Sequence, residues 1–173
     1  MNIEIQNEQV EHIDQVRAIL RAAFPSDAES KLVDLLRANR KSTISLVAVS
    51  GHAVLGHILF SPVSITTSSD APPSADAMGI GLAPVAVRPD VQSQGIGSRL
   101  IREVLRHCRQ QGFDYCVVLG SPEYYQRFGF ETASLFGILN EYGVDDEFMI
   151  LRFTDREVVG LVKYAVEFAL LSV

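Results

Sequence analysis

Gly95 and Gly97 stand where this chain could hold an anion. They fall in Val91-Gln92-Ser93-Gln94-Gly95-Ile96-Gly97-Ser98, after an apolar run (Leu82 to Val87) closed by Arg88-Pro89 and before a helical pattern. Glycine lacks the Cβ that keeps a ligand off the backbone, and it can take φ > 0. A helix N-terminus adds unpaired N–H groups at the positive end of its dipole. Phosphate or pyrophosphate is the natural occupant of such a turn. Glycines in strand-to-helix turns also serve only to relieve crowding, so the pair alone is a weak signal. Two sharper phosphate motifs are ruled out. A Rossmann fingerprint wants Gly or Ala where this chain has Leu100, and a Walker loop wants a Gly-Lys-Ser/Thr ending that is missing.

The remaining chemistry-bearing residues are scattered. His12, His52, His57 and His107 show no metal-ligand grouping, and no Ser-His-Asp constellation stands out. No metal site is expected. His57, between Gly56 and Ile58 on a strand, is the best candidate for a general base, although a lone strand histidine is more often structural. Cys108 and Cys116 lie in or beside apolar segments and read as small core residues rather than a disulfide.

The elements that must position these groups follow from periodicity. Ile3 and Ile5 alternate with polar residues as in a short strand. Ile13, Val16, Ile19, Leu20 and Ala23 recur at helical spacing until Pro25. Ser26-Asp27 caps a second helix carrying Leu32, Leu35 and Leu36. Ile44 to Val49 and Ala53 to Ile65 make a hairpin around Ser50-Gly51-His52, and Thr66 to Asp76 is a Ser/Pro/Asp-rich loop.

After the central strand, a helix from Gly97 to about Gln111 buries Leu100, Ile101, Val104, Leu105 and Cys108 and ends at Gly112. Arg99, Arg102, Arg106 and Arg109 form its other face, which is commonly just solvated. Tyr115 to Leu119 is a strand, Pro122 to Phe128 a turn or two of helix ended by Gly129, and Phe148 to Phe153 a further strand. In the tail, Gly160 to Phe168, the alternation and the β-branched and aromatic residues favour a strand, while a helical spacing also fits. The order gives an α/β chain with a central mixed sheet flanked by helices, in which residues 87 to 115 join two parallel strands right-handedly.

Gln92-Ser93-Gln94-Gly95-Ile96-Gly97 matches Gln/Arg-x-x-Gly-x-Gly/Ala. Downstream, Ser121-Pro122-Glu123-Tyr124-Tyr125-Gln126-Arg127-Phe128-Gly129-Phe130 puts a tyrosine four residues before a Gly-Phe pair, on the helix after the next strand. The two motifs in this order resemble the GNAT superfamily of N-acetyltransferases, over most of the chain from the first strand to about Phe153. The Tyr-Tyr-x-Arg-Phe-Gly-Phe wording, with Ser26 to Leu32, is similar to a bacterial branch of predicted N-acetyltransferases.

The resemblance implies a single GNAT domain over residues 1–173, acetyl-CoA as cosubstrate, and an amine acceptor met in a ternary complex. Val85, Ala86 and Val87 would lend backbone groups to the pantetheine arm and acetyl carbonyl. Gln92, Ser93, Gln94, Gly95, Ile96, Gly97 and Ser98 would cradle the pyrophosphate, and Arg99 or Arg102 would approach the 3′-phosphate. Tyr125 would protonate the departing thiolate, with Tyr124 as the neighbour that packs. Asp27 and Glu29 would attract a cationic amine. The chain departs from relatives in two ways: Gly81 to Val87 carries no carboxylate, and no Asn precedes the tyrosine. The reading from another class is a non-catalytic acyl-CoA-binding module, since fold does not fix function.

Composition bounds the partners. At 173 residues, with 47% hydrophobic and 21% charged residues, the chain is long enough for a sizeable core. A net charge of −6 argues against a nucleic-acid surface and permits a cationic substrate. With no signal pattern and no apolar run of membrane length, the expectation is a soluble cytoplasmic protein that needs no membrane. A homodimer is compatible with this reading.

Overall fold

The computed structural model describes residues 1–67, 70 and 77–171. Two compact units emerge: Met1–Phe60, Ala83–His107 and the segment from Val166 make the first, and Ser61–Leu82 with Cys108–Ala165 the second.

In the first unit, β1 (Glu4–Asn7) leads through a 3-10 turn (Val10–His12) into α1 (Ile13–Ala23) and α2 (Ala28–Ala38). β2 (Ile44–Ser50) and β3 (Ala53–Thr66) form the predicted hairpin, antiparallel from Ile44↔Phe60 to Ser50↔Ala53, and β1 pairs antiparallel with β2. The buried stripe of α1 is Val16, Ile19 and Leu20, as its spacing predicts. In α2 the stripe is Leu32, Val33 and Leu36, while the expected core residue Leu35 is 40% exposed. The expected cap is shared. Ser26 Oγ accepts from the Ala28 N–H (3.2 Å), and Asp27 pairs with Lys31 (3.0 Å). The second half of β4 (Gly79–Val87) and most of α3 (Ile96–Gln110) complete this unit.

The second unit holds β5 (Tyr115–Leu119), α4 (Pro122–Gln126), β6 (Glu131–Thr132), β7 (Ile138–Asn140), β8 (Phe148–Arg152) and β9 (Gly160–Lys163). Gly79–Leu82 of β4 runs parallel to Tyr115–Val118 of β5, so residues 87 to 115 are a crossover between parallel strands. β8 is antiparallel to β5 and to β6, and β9 is antiparallel to the end of β3 and parallel to β7. Strands of two or three residues, like β6 and β7, are too short to carry an alternation pattern.

The tail corrects the sequence reading. Only Gly160–Lys163 is strand, and Val166–Leu170 is a 3-10 turn in the first unit. That turn is tied down by Glu167, whose carboxylate accepts from Asn39 Nδ2 (2.6 Å) and Lys41 Nζ (3.0 Å). Of the predicted loop at residues 66–76, residues 68, 69 and 71–76 lie outside the described residues.

One buried charge ties four elements of the first unit together. The Glu8 side chain, 7% exposed, follows β1 and accepts from the Arg37 guanidinium of α2 and the Ser45 hydroxyl of β2. His57 Nε2 of β3 stands 3.7 Å from the carboxylate and 2.8 Å from Ser45 Oγ. Burial alone would raise the Glu8 carboxyl, but His57, Arg37 and Ser45 outweigh it and hold the group at about 2 rather than 4.5. A carboxylate held low stabilises the folded chain above its unfolded pKa and loses that contribution on acidification.

Glu8 is therefore worth about 3 kcal/mol above pH 4.5, lost as the pH falls towards 2. Urea unfolding across this window should show the loss. Glu8→Gln should remove it from the profile and lower stability at neutral pH, because the largely buried Arg37 is left with Asp34 alone as its counter-charge. An acid profile unchanged by that substitution would contradict the account.

Candidate functional site

The phosphate-type turn is built on the end of β4. Ala86 is buried, and Val85 and Val87 are half-buried. Arg88 and Asp90 pair through two contacts (2.6 and 2.9 Å) across the Pro89–Val91 turn. Gln92 Nε2 then donates to the Val87 carbonyl at 3.0 Å, which folds the loop back onto the strand. Two of the predicted segments, Val85 to Val87 and Gln92 to Ser98, are thus joined directly.

Ser93 and Gly95 take φ of 61° and 83°. α3 begins at Ile96, one residue earlier than the periodicity predicts, and the Arg99 N–H bonds the Gly95 carbonyl at 3.0 Å. Gln92, Ser93, Gln94 and Gly95 are exposed, Ile96 is buried, and Gly97 and Ser98 are half-buried. A Cβ on Gly95 would meet nothing within 4 Å. Glycine stands there for its left-handed φ, not for steric relief, and the space beside it is open to a ligand. No carboxylate lies in the first turn of α3, and a helix end of that kind favours an anion.

Gly56 of β3 is a residue that the sequence reading passed over. A Cβ there would lie 3.1 Å from the Ala86 carbonyl oxygen, 3.1 Å from Leu100 Cδ1 and 3.2 Å from Ile96 Cγ2. The end of β4 and the start of α3 close over a missing side chain. A glycine inside an apolar strand is the signal that marks such an approach.

Tyr125 belongs to the second unit, on α4, where its N–H bonds the Ser121 carbonyl (3.1 Å). The residue is 7% exposed, and its ring meets those of Tyr124 and Phe130 edge-on at centroid distances of 5.1 and 5.7 Å. Burial, helped by Tyr124 and Cys116, pushes the hydroxyl well above its ordinary 10, so the phenol stays protonated and can donate. Tyr124 is half-buried, and the Arg127 guanidinium lies 4.4 Å from its ring centroid.

The other candidates separate on contact. His57 is fully buried, its Nε2 is engaged by Ser45, and burial lowers its pKa below 6.5 despite Glu8. A side chain with no exposed surface cannot meet an acceptor amine, so the geometry makes His57 structural. Asp27 is occupied by Lys31, whereas Glu29 Oε2 is shielded from solvent and has no hydrogen-bond partner among the described residues. In the arginine row, Arg99 donates to the Ile3 carbonyl (2.8 Å), Arg106 pairs with Glu103, and Arg109 lies over the Phe153 ring. Among the described residues no group of three His, Cys, Asp or Glu could hold a metal ion, and no helix is long and apolar enough to cross a membrane. Cys108 and Cys116 are buried free thiols.

The strands run both parallel and antiparallel, a glycine turn leads into α3, and a tyrosine-bearing helix follows β5. Residues 13–130 match the Acetyltransferase (GNAT) family, and the chain belongs to that family. It is 36% identical to the uncharacterized N-acetyltransferase YhbS of Escherichia coli K12 over 154 residues, 86% of this chain and 88% of the relative. The crystal structure of E. coli YhbS in complex with CoA matches with a TM-score of 0.89 at 33% identity, covering 98% of this chain and 93% of that one. A GNAT acetyltransferase from Brucella melitensis in complex with acetyl-CoA matches with a TM-score of 0.79 at 35% identity, covering 96% and 98%. The chain therefore has the GNAT fold, a mixed sheet flanked by helices.

If the turn into α3 cradles phosphate, Gly95→Val or Gly97→Val should abolish CoA binding in calorimetry while circular dichroism shows a folded chain. At Gly95 a branched residue also meets a left-handed φ, at a cost of about 1–3 kcal/mol. Unchanged affinity in a folded variant would reduce Gly95-Ile96-Gly97 to ordinary turn chemistry.

Proposed function

We propose that this chain is an acetyl-CoA-dependent N-acetyltransferase, residues 1–173 acting as one cytoplasmic domain, that moves an acetyl group to a primary amine through a ternary complex. The observation that carries the reading is the buried, protonated Tyr125 phenol on the helix that follows β5. It is supported by the loop before α3 and by the CoA and acetyl-CoA complexes of the two relatives.

Acyl transfer from a thioester needs a polarised carbonyl and a stabilised leaving sulfur. In this reading, backbone groups of Val85, Ala86 and Val87 hold the pantetheine arm and polarise the carbonyl, and residues 92 to 98 hold the pyrophosphate. As the nitrogen of the neutral amine bonds to the acetyl carbon and the carbon–sulfur bond breaks, the Tyr125 hydroxyl gives its proton to the sulfur; the proton shed by the nitrogen goes to solvent, and the phenolate takes one back from solvent. A thiol in water has a pKa of about 8.5, below that of a phenol.

Thiol release from acetyl-CoA across a broad amine panel tests the activity. Slow hydrolysis with no turnover of any amine is the behaviour of an acyl-CoA-binding module instead. With an acceptor in hand, Tyr125→Phe should lower kcat by about 10²- to 10⁴-fold, with near-normal acetyl-CoA affinity and stability. Tyr124→Phe should cost far less. The reverse ranking would move the acid to Tyr124, and two fully active variants would show that the thiolate leaves without a tyrosine.

A further inference from the structure

We propose that Gly120 is a positioning residue for Tyr125: the space left by its missing side chain is the seat of the phenol ring. The inference rests on the acid role given to Tyr125 above. A Cβ on Gly120 would stand 2.5 Å from Tyr125 Cε2, 3.1 Å from Cδ2 and 3.5 Å from Cζ. Carbon atoms settle at about 3.5–4.0 Å, so a methyl there displaces the ring by roughly 1 Å.

Neither partner can yield cheaply. Gly120 directly follows β5, and its N–H donates to the Glu147 carbonyl at 2.9 Å, which pins the backbone. The ring is walled on other sides by Tyr124, Phe130 and Phe128, at centroid distances of 5.1, 5.7 and 6.5 Å. Gly120 is not among the glycines with positive φ, so alanine fits its backbone and only the methyl conflicts. The position therefore selects against a side chain because of one neighbour, the residue to which the acid role falls. A misplacement of about 1 Å at a reacting group can cost about 10²-fold in rate.

The test is a double-mutant cycle read by thiol release from acetyl-CoA with the best amine of the panel. Gly120→Ala should lower kcat by about 10²-fold and leave the KM for acetyl-CoA within about twofold. Tyr125→Phe keeps the ring and its clash with the new methyl but has no hydroxyl to misplace. In that background Gly120→Ala should therefore change kcat by no more than about threefold. An equal loss in both backgrounds would make Gly120 merely structural and overturn the inference, as would a fully active Gly120→Ala beside an impaired Tyr125→Phe. A fully active Tyr125→Phe would instead sink the acid reading on which it rests. Should Gly120→Ala not fold, Gly120→Ala/Phe130→Leu, which opens the far wall of the ring, is compared with Phe130→Leu in the same cycle.

Discussion

A Cβ on Gly120 would stand 2.5 Å from the ring of Tyr125, and one on Gly56 would stand 3.1 Å from the carbonyl oxygen of Ala86. In each unit a glycine marks an approach that a side chain would crowd. Over Gly56, the first turn of α3 settles against β3 beside the end of β4, and that packing fixes the course of the turn into α3. Over Gly120, the ring of Tyr125 packs edge-on against Tyr124 and Phe130. Close packing converts both absences into fixed geometry, because a dense interior offers no room for either element to drift.

Charge is distributed in keeping with that geometry. Glu8 is held by Arg37, Ser45 and His57 within the first unit, and Glu167 by Asn39 and Lys41, so these carboxylates are committed to structure. Asp90 is taken by Arg88 and Asp27 by Lys31. The first turn of α3 carries no carboxylate, and the loop before it exposes four polar or glycine residues in a row. An anion arriving there meets helix N–H groups, with no carboxylate in the first turn of the helix. Tyr125 stays neutral because burial penalises the phenolate, and a neutral phenol is the form that can donate.

How much of this was legible in the chain depended on the distance over which each signal acts. The strand from residue 82, the turn at Gly95 and the helix after it are local: an apolar run, a proline stop, a left-handed position and a 3.6-residue repeat. The helix began within one residue of its predicted start. The β2–β3 hairpin and the spacing of Tyr125 from Gly129-Phe130 were readable for the same reason. The sequence by itself thus determined the family and the fold class.

Tertiary structure decided what depends on partners far apart in the chain. The strand-like tail divides after Lys163 because Glu167 finds Asn39, 128 residues away. His57 passes from candidate base to buried structural residue because Ser45 and Glu8 reach it from two other segments. Gly56 stands without a side chain because Ala86, Ile96 and Leu100, thirty and more residues on, close over it. Periodicity and capping act within a few residues, whereas burial, ion pairing and van der Waals exclusion are settled only when the folded chain brings distant segments together.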